Sequence, residues 1–286
     1  MTKQDIIMLS IIIPHYNTPD LLNRLLFSIP DIPQIEVIVI DDNSTLGIDI
    51  YNKCKEINKN RNVSFYQNDI KKPGAGNARN VGLKYANGEW VTFADADDYY
   101  VEGFWDIISA HLNDNCDVVF FSSTSIKLDT NEESDRHVHY ANLVKKFCDD
   151  PTHENEIKLR CTFWSPCSKI IRRKFIEKNR IKFDGTKHSN DMMFSTKVGL
   201  NAGVIEADKK VIYCITESNN SLTSSKRKKD LRTRADVFCN YYFYLNSHLS
   251  RDEMKILGYS LKDYIYFVLY RMHIIQIRDF ILKRDI

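Results

Sequence analysis

The 286-residue chain has no run of 18 apolar residues, so no segment is apolar enough for long enough to span a bilayer. None of its seven cysteines forms a Cys-x-x-Cys pair, and Cys161-x5-Cys167 has no partner pair at ligand spacing, which argues against a structural zinc site. The odd cysteine count, and an opening stretch Met1–Ile7 that is short and carries Asp5, point away from a secreted disulfide framework and toward a cytoplasmic setting. Only 10 glycines and 7 prolines are present, which excludes a loop-dominated chain, and there is no internal repeat. A net charge of +2 excludes a bulk nucleic-acid binder. What remains is a globular composition, 43% hydrophobic and 27% charged. The charge is unevenly spread. Residues 226–286 carry 13 Lys/Arg against 7 Asp/Glu, while the other 225 residues carry 27 against 31.

The first 125 residues alternate short apolar β-branched runs with helical patterns. Strands are predicted at Leu9–Pro14, Ile35–Ile40, Val63–Gln67, Trp90–Ala94 and Asp117–Ser122. Helices fall between them at Asp20–Ser28, Ile48–Ile57, Gly76–Tyr85 and Glu102–Leu112, the first opened by Thr18-Pro19. Such alternation predicts an α/β fold with a mostly parallel sheet covered by helices on both faces, and ligands bind at the carboxyl ends of strands in such sheets. Further on, Lys127–His139 reads as a polar loop, Thr162–Arg173 and Asn190–Leu200 as loops leading into helices, and Val211–Thr216 as a late strand. Ser218–Ser225 reads as a loop, and Leu231–Leu249 and Lys255–Lys283 as two helices. The implied division is 1–125, 126–225 and a basic helical extension, 226–286.

Polar residues collect at the predicted strand tips. Three carboxylates within Asp95-Ala96-Asp97-Asp98 repel one another, and a hard divalent cation would offset that cost; a helix amino terminus is the competing explanation. Asp41 and Asp42 suit either a turn or the recognition of a base or ribose. The segment Gly74-Ala75-Gly76 is not a dinucleotide fingerprint, since the third glycine position holds Arg79. Arg79 suits a diphosphate or ribose, or simply an exposed turn. Asp191 stands where a helix cap is common.

Four segments occur in order: Ser10-Ile-Ile-Ile-Pro14-His-Tyr-Asn17, Ile40-Asp-Asp-Asn-Ser44, Ala78-Arg-Asn-Val-Gly82 and Phe93-Ala-Asp-Ala-Asp-Asp98. Together they resemble a family 2 glycosyltransferase of the GT-A fold, over residues 8–123 and more weakly to Ser225. The resemblance implies inverting transfer of a sugar from a nucleotide-sugar donor, usually a UDP-sugar, to a hydroxyl of a glycan or lipid-linked acceptor, often in cell-surface polysaccharide synthesis. It assigns Pro14, Tyr16, Asn17, Asp41, Asp42, Arg79, Asp95 and Ala96 to the donor. It also gives Asp97 to a Mn²⁺ or Mg²⁺ ion and Asp191 to the general base. Trp164, His188 and Asn190 lie in the half that would face the acceptor.

Two departures stand out. The family's Glu-Asp pair is Asn190-Asp191 here, and losing a like charge would leave Asp191 more acidic than its counterparts. Relatives often place a basic residue before the Ser-x-Thr/Ser loop, whereas Glu217 precedes it here and Lys226 and Arg227 follow. A sugar-phosphate nucleotidyltransferase and a catalytically degenerate sugar-nucleotide-binding module are the alternatives. The first is weakened because His15–Pro19 offers no glycine, lysine or arginine for a triphosphate. In the tail, 13 of the 18 residues Tyr264–Ile281 are apolar or tyrosine. Packing against the body is expected, with a peripheral contact to the inner membrane face through the basic run Lys226–Arg234, or self-association through these helices.

Overall fold

The structure, a computed structural model, describes residues 7–218 and 228–272. The loop Ser221–Ser225, Lys226, Arg227 and the tail beyond Met272 lie outside the described residues.

Eight strands form one sheet: β1 (Leu9–His15), β2 (Ile35–Asp41), β3 (Val63–Gln67), β4 (Trp90–Phe93), β5 (Tyr99–Tyr100), β6 (Val118–Lys127), β7 (Lys169–Arg172) and β8 (Ile205–Glu217), in the order β3-β2-β1-β4-β7-β6-β8-β5. β1 runs parallel to β2 and β4, β2 to β3, and β6 to β8, while β7 and β5 pair antiparallel. Every residue of β1 and β2 is buried, as continuous apolar runs require of strands covered on both faces.

One face of the sheet is covered by α1 (Pro19–Ser28), α2 (Ile48–Asn58) and α4 (Phe104–Ser109). In α1, Leu22, Leu25 and Leu26 recur at helical spacing and are buried there. The other face holds α3 (Ala75–Tyr85), α5 (Val138–Asp149), α6 (His153–Thr162), α7 (Arg173–Lys178) and α8 (Met192–Asn201). A third cluster joins α6 and α8 to α9 (Lys228–His248), α10 (Arg251–Ile256) and α11 (Leu261–Arg271).

Two expectations are corrected. The stretch Thr162–Arg173 contains a strand, β7, because its residues find partners in β4 and β6 that local sequence does not display. The predicted helix from Lys255 is broken: α10 stops at Ile256, and Gly258, at a φ of +79°, turns the chain into α11. β6 continues across the expected boundary at residue 125, so one sheet serves both halves.

Candidate active site

Sheet order sets the tips of β2, β1 and β4 side by side, and each ends in polar residues. On the β2 side, burial works against the Asp41 charge. Hydrogen bonds from His15 (Nδ1 to Oδ1, 2.9 Å), the Ser44 N–H (3.1 Å) and Gln67 (3.1 Å) nevertheless pull its pKa down to about 2. His15 accepts from the Thr18 N–H at Nε2 (3.3 Å), which fixes the tautomer that donates to Asp41, and its ring stacks on Tyr51. Asp42 is also buried and accepts from Asn68 Nδ2 at 2.6 Å, yet burial pushes its pKa up. Asn17, at a φ of +57°, accepts from the Thr45 and Leu46 N–H groups (2.8 and 2.9 Å) and so ties the next loop to the β1 tip. Pro14 is buried under this tip, while Tyr16 is 56% exposed.

Beyond β4 the acidic turn divides its labour. The buried Asp98 carboxylate accepts from the Thr216 N–H at 2.7 Å, and burial beside Asp97 and Asp95 raises its pKa. Asp95 accepts from Arg79 Nη2, and its own N–H donates to the Tyr213 hydroxyl at 2.8 Å. Ala96 is buried between them. The Asp97 carbonyl accepts from Arg24 and from the Thr216 hydroxyl, but its half-buried carboxylate takes no side-chain hydrogen bond among the described residues. Burial, then the nearby Asp95 charge, raises the Asp97 pKa, while Arg136 and Arg24 pull the other way. A carboxylate with no side-chain partner at a strand tip fits a cation that draws its other ligands from a diphosphate and water. The helix-terminus explanation does not account for Asp97, since α4 starts six residues beyond Asp98 and has Gly103 at its cap.

Arg79 joins the two halves. It is 5% exposed, not a surface arginine, and Nη1 donates to Asn190 Oδ1 at 2.9 Å while Nη2 reaches Asp95. The guanidinium lies 5.3 Å from the Phe183 ring. Gly76 permits this junction, because a Cβ there would stand 2.3 Å from the Asp184 carbonyl and 3.0 Å from Asn190 Cβ. Asp191 follows at the start of α8 and makes no capping hydrogen bond with its side chain. Burial raises its pKa, opposed first by the Arg79 charge and then more weakly by Lys169. Asn190 therefore serves here as an acceptor for Arg79.

Trp164 and His188 sit further out, against the C-terminal helices. Trp164 donates Nε1–H to the Cys161 carbonyl (2.9 Å) and meets Phe238 and Tyr241 of α9 edge-on. His188 is buried with Nε2 2.9 Å from Asp230 Oδ1. Sequence reasoning missed Tyr213 and Thr216 of β8, Arg24 of α1 and Arg136, which only the fold brings to the acidic turn, and it missed the buried Lys169. Among the described residues one His/carboxylate group has ligand atoms within 4.8 Å of one another: His111, Asp114 and Glu206. It lies at the amino edge of the sheet, where Glu206 pairs with Val119, away from the acidic turn. There His111 bridges Asp114 (2.7 Å) and Asp208 (3.2 Å).

A mostly parallel sheet flanked by helices, with its polar residues gathered at the carboxyl edge, is a GT-A-type fold. The family model described as Glycosyl transferase family 2 matches residues 10–180, and the chain belongs to that family. It is 29% identical over 225 residues to poly(ribitol-phosphate) beta-N-acetylglucosaminyltransferase TarS of Staphylococcus aureus, covering 76% of this chain and 37% of TarS. The chain thus spans little more than a third of that relative. A crystal structure of S. aureus TarS 1-349 in complex with UDP-GlcNAc superposes with a TM-score of 0.65 at 24% identity, covering 87% of this chain and 70% of that one. Mannosyltransferase PcManGT from Pyrobaculum calidifontis, in complex with GDP-Man and Mn²⁺, gives 0.56 at 17% identity, covering 86% and 66%. At these identities the two structures speak to the fold alone.

Proposed function

We propose that this protein is an inverting glycosyltransferase that moves a sugar from a nucleotide-sugar, in the first instance a UDP-sugar, to a hydroxyl of a glycan or lipid-linked acceptor in cell-surface polysaccharide synthesis. The observation that carries the proposal is the Arg79 bridge, which joins the acidic turn after β4 to Asn190-Asp191 at the start of α8. Residues up to 125 take the donor: Tyr16 covers the base, Asp42 accepts its N–H, and Arg79 and Asp95 orient the nucleotide. Pro14, Asn17 and Asp41 shape the pocket wall from behind. Residues 126–225 face the acceptor, with Asn190, Trp164 and His188 on that side, and 226–286 form the helical extension. Asp97 holds a Mn²⁺ or Mg²⁺ ion, which when bound supplies positive charge to the departing diphosphate.

Asp191 takes the proton of the acceptor hydroxyl as the new bond forms at the anomeric carbon. It must be ionised to do so. Its pKa is raised by burial, so turnover falls as pH drops through that raised value and is lost at a higher pH than for an exposed carboxylate. The TarS name supports a phosphate-linked polymer acceptor. The exposed Leu261 and Ile265 of α11, with Met272 just beyond it, support a peripheral contact with the inner membrane face, or with a second copy. Among the described residues no helix is long and apolar enough to cross a membrane.

The test is donor hydrolysis and transfer with Mn²⁺ across a panel of UDP-sugars. Asp97→Asn is expected to abolish transfer and weaken UDP binding in Mn²⁺ with the fold intact. Asp191→Asn is expected to cut turnover by about 10² or more with donor affinity little changed. Full activity in either variant removes the corresponding assignment.

A further inference from the structure

Lys169 is 0% exposed at the head of β7, and no carboxylate lies within ion-pair distance of it among the described residues. Burying an unpaired ammonium is costly, so its place in the fold calls for a reason. Its hydrogen bond is to the Phe163 carbonyl, 2.9 Å from Nζ, and the ammonium lies over the Phe163 and Phe120 rings at 4.7 and 5.2 Å. The antiparallel register that pairs Val91 with Ile171 brings Lys169 level with Phe93, two residues before Asp95. Lys169 therefore sits under the carboxyl edge of the sheet, where the candidate site is.

Its hydrogen bond reaches toward α8. The next carbonyl, that of Trp164, accepts from the Ser195 hydroxyl at 2.6 Å, and the Ser195 N–H closes the first turn of α8 on the Asp191 carbonyl at 2.9 Å. Adjacent carbonyls of one short segment thus carry Lys169 on one side and the Asp191 turn on the other. Resting on the assignment of Asp191 as base, we propose that Lys169 is a positioning residue for it: its ammonium favours the ionised carboxylate, and its hydrogen bond holds the 163–164 segment that anchors the first turn of α8. The charged groups acting on Asp191 are Arg79 from α3, Asp95 beyond β4 and Lys169 from β7, and the neutral but titratable Tyr140 hydroxyl approaches from α5. Facing Lys169 are Asp191 and the Cys167 thiol. Burial pulls the Lys169 pKa down to about 7, with Asp191 holding it up, and Lys169 in turn lowers that of Asp191. Arg79, whose charge acts more strongly on Asp191, is hydrogen-bonded to Asp95 and Asn190, and Lys169 adds a second, weaker positive charge from the β7 side.

The experiment compares kcat against pH for the wild type, Lys169→Met and Lys169→Arg, with Asp191→Asn alongside. Methionine keeps length and apolar packing but removes the charge. The acid limb of kcat should move to higher pH in Lys169→Met and stay near wild type in Lys169→Arg, with UDP binding unchanged in both. An unmoved limb in Lys169→Met, with only thermal stability reduced, overturns the proposal. If Asp191→Asn keeps full activity, the base assignment fails instead, and the two failures are distinct. The coupling can also be read from the other side should Lys169→Met not fold. In Asp191→Asn the Lys169 ammonium, followed by ¹³C NMR at its ε-carbon, should titrate at lower pH than in the wild type, and an unchanged titration again overturns the proposal.

Discussion

Asp41 and Asp42 are neighbours, both buried at the same strand tip, and their ionisation is pushed in opposite directions. The difference lies in their partners. Asp41 receives hydrogen bonds from three residues, Asp42 one side-chain amide and a backbone N–H. Adjacent carboxylates of one motif thus serve different ends: Asp41 builds the turn, and Asp42 is the one that a ligand could relieve. For Asp41 the folded pKa of about 2 lies below its ordinary 3.8. Its contribution to stability is therefore complete above about pH 4 and is lost as pH falls toward 2. At neutral pH the contribution is about 2 kcal/mol. Asp41→Asn should lower stability by that order at pH 7, measured by urea denaturation, and the gap to wild type should close as pH approaches 2. A constant gap across that range would show that the His15 contact, not the carboxylate charge, is what the variant loses.

Between residues and molecule, the elements show where sequence reading succeeds. Apart from the two-residue β5, the strands and helices of the first 125 residues are legible because each carries its own period and punctuation: continuous apolar runs ending at Pro14 or Asp41, and Leu22, Leu25 and Leu26 on one helical face. β7 was not legible. It is four residues long, opens on a buried lysine, runs directly into α7, and owes its conformation to β4 and β6 on either side. The break after α10 was written in the sequence but easily passed over. Gly258 and Tyr259 donate to the Lys255 and Met254 carbonyls (each 2.8 Å), a Schellman ending, and Ser260 with Asp263 then forms a capping box for α11. In the site, the strand-tip acids and Arg79 could be named in advance. That Arg79 would span to Asn190, 111 residues away, could not, because only the folded loop brings them together. Gly76 is the small residue at that junction. Gly76→Ala should push the loop carrying Asp184 and Asn190 off α3 and misplace Asp191, since the added Cβ meets main chain, not a flexible side chain. Turnover should fall about 10²-fold, the cost of misplacing a positioned base, with a smaller loss of thermal stability. Equal activity with lower melting temperature would mean that the loop can shift without moving Asp191.

At the scale of the whole molecule, the C-terminal helices complete the body. Tyr241, Tyr242 and Leu245 of α9 pack with Phe267 of α11 against Ile157 and Cys161 of α6 and against Met192 and Met193, the residues that follow Asp191. Tyr242 stacks on Phe267 at 3.9 Å, and the Tyr241 hydroxyl donates to the Cys161 carbonyl at 3.2 Å. A chain ending at Ser225 would uncover that face of α6 and α8, beside the candidate base. It should therefore aggregate or lose activity even though every assigned site residue is retained. Tyr242→Ala in the full chain should destabilise by about 3 kcal/mol, as truncation of a large buried aromatic does, and lower the melting temperature accordingly. The outer side of α11 behaves differently, because Leu261 is 74% and Ile265 51% exposed. Leu261→Glu with Ile265→Glu should leave thermal stability and donor hydrolysis near wild type, since neither side chain fills the core. If that face meets an anionic membrane, the double variant should no longer sediment with phosphatidylglycerol vesicles that the wild type binds. Equal sedimentation of both proteins would confine α11 to its packing role, and a smaller assembly of the variant, with neither protein sedimenting, would assign the face to a second copy of the chain.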